Sequence, residues 1–382
     1  MKMPVSLPAL LAELVALPSV SPEGDSDGTA PGEAALAAHL ANLLRELGAQ
    51  VRLTEVQPGR PNLVARFPSR DRRAPVVALV PHLDTVGVAG MTVPSFRATV
   101  SRGRLHGRGA CDTKGPMAAA LWGLAAWLRT PAARSSHVTW VFAATMGEEE
   151  LSTGASALCR AGFRADFAIA LEPTDLKIVH AAKGVLRVWV DAAGRAAHGA
   201  TPHRGRNAAY RLLPFLDACA HRLAPQFARR AHPLLGGASL NVGVVRAGGE
   251  LNIVPDAATA GLDVRTHPAF DNTSALRALR GAARGLRLRV HRQGPAFALE
   301  RSHPWLRRLA PHANGFLRVP WFSDANVFNA HGIPAVAFGP GSIAQAHTKD
   351  EFITLAALER GGRAFQQLIA DLSARPPATR PR

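Results

Sequence analysis

Cysteine is scarce in this chain: Cys111, Cys159 and Cys219 are the only three among 382 residues, and none stands in a CxxC spacing. An odd number of dispersed thiols excludes both a disulfide framework and a thiolate zinc knuckle. Each reads better as a small buried apolar residue than as a nucleophile. Long hydrophobic runs are missing too. The longest, over 117–128, has 12 residues, against the ~20 needed to cross a bilayer. Pro4, Pro8 and Glu13 interrupt any signal-peptide core, so a soluble cytoplasmic protein with no membrane partner is the expectation. Lysine is rare as well, supplying five of the 45 basic residues behind a net charge of +17. Such a charge suggests nucleic acid as a partner. The arginines, however, are scattered among Ala, Gly and Pro without an interleaved aromatic patch, and this argues against that partner.

What is present is an α/β pattern long enough for two domains. Leu7, Leu10, Leu11, Leu14 and Val15 describe one buried helical face. After a turn-rich loop over 19–32, a second helix is expected over 33–47, closed by Gly48. Short strands over 51–56 and 62–67 lead into VVALVPHLDTV, a central strand over 76–86 that carries His82 and Asp84 near its end. Open α/β sheets bind ligands at the carboxyl ends of their strands. Alternation puts these two side chains on one side, a ligand beside a carboxylate that can fix its tautomer. Alone, this pair reads better as a solvated turn after a strand.

Two more apolar strands, over 138–144 and 167–171, run into Gly147-Glu148-Glu149-Glu150 and into Glu172-Pro173-Thr174. Between them and the first strand lies GRGACDTKG with Asp112. Its glycines fit neither nucleotide-binding spacing, and an apolar helix over 117–129 follows. Consecutive carboxylates repel unless cations offset them, although a solvated acidic loop would also tolerate the run. From about residue 180 the texture changes to a βαββαβ order through 292, the signature of a small split-βαβ sandwich. The α/β texture then returns, with a helix over 303–314, a strand over 333–338, the stretch GPGSIAQAH ending at His347, and a last helix over 354–372. The tail over 374–382 is Pro- and Arg-rich.

His82, Asp112, Glu149, Glu172 and His347 thus offer imidazole and carboxylate donors from separate elements. Such donors without thiolates suit zinc or a similar divalent ion, and a bridging carboxylate allows two ions roughly 3.5–4 Å apart. In HLDTV, GRGACDTKG, GEE followed by STGA, LEPT, HGATPH and GPGSIAQAHTKDEF, the sequence resembles the zinc aminoacylase and carboxypeptidase family of acetylornithine deacetylase and succinyl-diaminopimelate desuccinylase, over about residues 5 to 372.

The resemblance implies a zinc-peptidase-like α/β catalytic domain with a mixed central sheet, in two parts (1–179 and 294–382), and an inserted α+β ferredoxin-like lid and dimerisation domain (180–293). It implies two Zn2+ per chain, with Co2+ as an alternative. Asp112 would bridge them, His82 and Glu172 complete one site, and Glu149 and His347 the other. Glu148 would be the general base and Asp84 would orient His82. His198 would reach the active site of a neighbouring subunit in a homodimer. The peptide after Asp112 is often cis in relatives. Glu149 and Glu150 form an alternative base and ligand pair, but the step from Glu149 to Gly154 favours Glu148 and Glu149. Relatives more often carry Asp where Gly147 stands. Arg265 and Asn241 match lid positions that bind a substrate carboxylate, and Gly341 lies in a loop able to offer N–H groups. Asn252 and Pro255 fit a turn, and His180 and His203 have no metal role. The expected activity is hydrolysis of the amide of a small N-acyl amino acid. GPGSIAQAHTKDEF is most similar to acetylornithine deacetylase and so points to arginine biosynthesis, with a desuccinylase, general aminoacylase or dipeptide carboxypeptidase as alternatives and a non-catalytic binding protein as a distant one.

Overall fold

The computed structural model describes residues 3–22, 32–150 and 152–377. Most of the loop expected over 19–32 and the end of the basic tail lie outside the described residues. The chain divides into two compact units, one of Met1–His180, Leu299–Leu317 and Ser323–Arg382, the other of Ala181–Ala298 and Arg318–Phe322.

The larger unit is built on a mixed sheet that includes Gln50–Gln57, Arg60–Phe67, Thr139–Ala144, Val76–Val80, Phe167–Ala170 and Ala335–Ala337 in that order. Its centre is Val76–Val80, which lies parallel to Thr139–Ala144 on one side and to Phe167–Ala170 on the other. All three strands are buried at every position, as their unbroken apolar runs require of strands covered on both faces. Being parallel, they end at the same edge of the sheet and deliver the residues that follow them there. The central strand is shorter than expected. Pro81, which has no N–H to give, follows Val80, and residue 82 keeps only an isolated bridge to Thr145.

Helices Leu7–Val15 and Ala34–Glu46 bury the leucine faces expected of them, and Ser6 caps the first by accepting the Ala9 N–H. The helix expected over 117–129 begins earlier and spans Lys114–Leu128. The Gly109 carbonyl accepts the Lys114 N–H at 2.9 Å, so the glycine loop itself starts the first turn. Gly123 lets the backbone of Leu355–Ala374 approach, for a Cβ there would meet Gln366 N at 2.7 Å. Among the elements not expected are the helices Thr153–Arg160 and Asp324–Ala330, the strands Ile178–Ala182 and Phe316–Val319, and a small sheet in which Phe352–Thr354 pairs with Arg104–His106. That small sheet brings the segment after His347 beside the glycine loop.

The smaller unit has one four-stranded antiparallel sheet in the order Ser239–Ala247, Ala257–Thr266, Gly184–Ala193, Arg287–Gly294. Alternate residues, among them Leu186, Val188, Val190, Ala260 and Leu262, pack with Leu212, Phe215 and Leu279 from its helices. The helix expected over 207–223 holds Pro214 in its interior. It gives way to a widened turn at Cys219–Leu223 before continuing as Ala224–Arg229.

Candidate metal centre

His82 sits just past the central strand, fixed by the Leu83 N–H on Thr145 O at 2.7 Å. Its Nδ1 lies 2.9 Å from the Asp84 carbonyl oxygen. A carbonyl can only accept, so Nδ1 carries the proton and Nε2 faces the Asp112 carboxylate, 3.0 Å from Oδ1. Asp84 therefore meets the imidazole through its main chain as well as its side chain. Its backbone oxygen is the nearer partner of Nδ1, while its carboxylate lies 3.5 Å from Nδ1 and also accepts the N–H groups of Glu148 and Glu149 at 2.9 Å each.

Asp112 is carried by a loop organised around Glu351, whose carboxylate is fully buried. Glu351 accepts the N–H groups of Gly109, Cys111 and Asp112 at 3.0, 2.8 and 2.9 Å, and the Arg108 guanidinium at 2.8 Å. The Asp112–Thr113 peptide is cis, and the Thr113 hydroxyl donates to the Leu171 carbonyl.

The acid loop turns sharply through Gly147, at φ +62°, a left-handed conformation that glycine adopts without cost. Glu149 lies 3.0 Å from His347 Nε2, which is also 3.6 Å from Asp112 Oδ2. Glu150 points elsewhere, to Arg60 Nη1 at 2.9 Å. The Glu148 carboxylate makes no hydrogen bond among the described residues. Glu172 is buried at the end of its strand, and Thr174 ties that turn to Gly339, whose N–H donates to the Thr174 hydroxyl at 3.2 Å. Gly341 is at φ +92°, and its carbonyl accepts the Asp175 N–H at 2.7 Å.

Donor atoms of His82, Asp112 and Glu149 all lie within 4.8 Å of one another. The electrostatics are those of a cation site. Burial, and then the neighbouring charge of Glu172, pushes the Glu148 pKa well above the usual carboxylate range, and burial with the charge of Asp112 does the same for Glu172. Burial also raises Glu149, against its hydrogen bond to His347. Burial disfavours the charged form of His82, but Asp112 and Asp84 outweigh it and hold that pKa well above the usual value. An imidazole nitrogen facing a carboxylate oxygen, with more carboxylates around them, needs either a proton or a metal ion between the donors. The N/O donor set, free of thiolate, fits a divalent ion such as zinc.

His198, Asn241 and Arg265 belong to the smaller unit. His198 is exposed and its Nδ1 accepts the Ala200 N–H. Arg265 is engaged by Asp263 of its own strand at 2.7 Å, and Asn241 is exposed on the neighbouring strand, opposite Asp263. Sequence reasoning assigned no role to Glu351, Asp324 or Arg60. Asp324 is buried and accepts the Thr145 hydroxyl at 2.5 Å, behind His82. Glu351 stands four residues past His347 within TKDEF, which was a signal of its neighbourhood but not of its task.

The model of peptidase family M20/M25/M40 matches residues 78–371. The chain belongs to that family. It is a metal-dependent hydrolase with the M20 zinc-peptidase-like fold. A succinyl-diaminopimelate desuccinylase of Gluconacetobacter diazotrophicus is 31% identical over 388 residues, covering 93% of this chain and 94% of that one. An acetylornithine deacetylase of Myxococcus xanthus is 30% identical over 330 residues, covering 81% and 83%. Among solved structures, an M20 family metallo-carboxypeptidase from Sulfolobus solfataricus superposes with a TM-score of 0.83 at 18% identity, covering 97% of this chain and all of that one. No described helix is long and apolar enough to cross a membrane.

Proposed function

We propose that the chain hydrolyses the linear amide of a small N-acyl amino acid, releasing a carboxylate and a free amine. The observation that carries this reading is the Glu148 carboxylate, half-buried and unbonded among the described residues, beside the His82, Asp112 and Glu149 donors. In this reading Asp112 would lie between two Zn2+ ions, with His82 and Glu172 on one and Glu149 and His347 on the other, and Co2+ able to substitute. When bound, such ions make water acidic near neutral pH and polarise the scissile carbonyl.

The chain's own residues do the rest. Glu148 takes a proton from the attacking water and returns it to the leaving nitrogen. Asp84 holds the amides of Glu148 and Glu149, and so fixes where that carboxylate starts. Asn241, Arg265 and the Gly341 loop are the candidates for the substrate carboxylate. His198 would act across a homodimer formed through the smaller unit, and a monomer in sedimentation that retained full activity would reject that part.

Two substrates compete. GPGSIAQAHTKDEF favours an N-acetylornithine deacetylase and a place in arginine biosynthesis. The desuccinylase relative, 31% identical over 388 residues, favours N-succinyl-diaminopimelate and lysine biosynthesis. The deciding experiment is hydrolysis of N-acetylornithine, N-succinyl-diaminopimelate, N-acetylmethionine and an acyl-glutamate by zinc-loaded protein, alongside Glu148→Gln. Activity on one member that is lost in the variant identifies both base and substrate. Silence with about two zinc ions bound per chain rejects the substrate class, and silence without metal binding rejects the centre.

A further inference from the structure

Three successive glutamates, Glu148, Glu149 and Glu150, lie in the acid loop, and only the first two face the centre. The backbone is pinned without regard to that choice. Asn62 receives the Met146 N–H at 3.0 Å and donates to the Gly154 carbonyl at 2.8 Å, bracketing the loop, while Asp84 holds its middle amides. The side chains are sorted by something else. Arg60 is buried, and its Nη1 reaches Glu150 Oε2 at 2.9 Å and Gln57 Oε1 at 2.8 Å. The other edge of its guanidinium is gripped by Glu33, with no exposed surface, through Nε at 2.8 Å and Nη2 at 2.6 Å.

A planar fork held on one edge cannot swing, so the direction of its remaining N–H groups is fixed by Glu33. We infer that the buried Glu33–Arg60 pair is a positioning device for the metal centre: it draws Glu150 away, so that Glu149 alone meets His347 and Glu148 stays unbonded as the base. The inference rests on the assignment of Glu148 and Glu149 above. If Arg60 served only to neutralise Glu33, replacing both by uncharged residues would leave the acid loop undisturbed. If it positions Glu150, removing both frees a third carboxylate beside the ligands.

The test is therefore the double variant Glu33→Gln/Arg60→Met, the triple variant that adds Glu150→Gln, and Glu150→Gln alone. We expect the double variant to lose about tenfold or more in kcat with KM little changed, and about tenfold in zinc affinity in titrations of metal-depleted protein, the usual scale for loss of a group that orients a ligand. The kcat pH profile should gain an ionisation. Adding Glu150→Gln should restore both constants to within about threefold of the parent, and Glu150→Gln alone should behave as the parent does. Arg60→Lys, which keeps the charge but not the fork, provides the same comparison should the double variant fail to fold: it should be impaired and be rescued by Glu150→Gln. A double variant with parental kcat and zinc affinity, or a triple variant no better than the double, overturns the inference. Failure of the underlying assignment shows separately, as activity persisting in Glu148→Gln, and the zinc titration still reads the positioning effect in that case.

Discussion

Replacing Glu351 by glutamine should disable the centre through the loop that carries Asp112, and the size of the effect can be worked from its four partners. One carboxylate oxygen accepts the Cys111 and Asp112 N–H groups, the other the Gly109 N–H and the Arg108 guanidinium. Glutamine keeps one acceptor and turns a second N–H donor toward two existing donors. Each buried donor left without a partner costs about 1–3 kcal/mol. Removing one member of a buried ion pair costs about 3–5 kcal/mol, and the two terms overlap at Arg108. A loss of about 4 kcal/mol is the expectation, a large share of the roughly 5–15 kcal/mol that holds a typical protein folded. Because Asp112 is one of the residues released, zinc affinity should fall together with stability. Urea unfolding of metal-depleted protein measures the first and calorimetric zinc titration the second. A Glu351→Gln protein within about 1 kcal/mol of the parent, with unchanged zinc affinity, would refute the argument.

The parts of the centre legible in the sequence are those written in one local segment. VVALV followed by His82 and Asp84, the glycines before Asp112 and the acids after the strand Thr139–Ala144 each combine an apolar run with chemistry at its end, and parallel pairing gathers such ends. The supports were not legible, because each joins side chains remote in the chain. Arg60 meets Glu33 across 27 residues and Glu150 across 90, and Arg108 meets Glu351 across 243. No periodicity encodes such pairs, since a lone arginine in a chain with 45 basic residues resembles every other surface arginine. Asp84 shows the intermediate case. Alternation placed it correctly beside His82, but which acceptor it would use depended on where the amides of Glu148 and Glu149 arrived, and that is settled by the fold. The central strand ended early for a reason already visible in the sequence: Pro81 removes a donor from the ladder.

Three other consequences can be measured. Gly154→Ala should destabilise by about 2–3 kcal/mol, as overpacking does, because a Cβ there would collide with the Met146 carbonyl and with Asn62 Oδ1; unfolding curves identical to the parent would exclude the close approach. Lys114 is buried against the Leu17 carbonyl, and burial lowers its pKa to about 7 from 10.5. The unfolded chain then binds more protons than the folded one between these values, so parental stability rises with pH across that window, by at most about 1.4 kcal/mol per unit. Lys114→Met lacks this slope, so the stability difference between it and the parent should drift steadily from pH 7 to 10; a constant difference would show that the amine is not desolvated. Glu172 gives the opposite sign. Burial and Asp112 raise its pKa well above the usual range, so in metal-depleted protein the folded state binds more protons than the unfolded state above pH 4.5, and parental stability falls as pH rises toward the folded pKa. Glu172→Gln is spared that cost. Without metal it should therefore melt higher than the parent at pH 8 and by a smaller margin at pH 5, while its gain in melting temperature on adding zinc should shrink, because the same carboxylate that destabilises the empty cluster is one the ion would bind. A metal-depleted Glu172→Gln that melts below the parent at pH 8 would mean that this carboxylate is already satisfied by the protein, and that the crowding of acids at the three strand ends is not held in reserve for a cation.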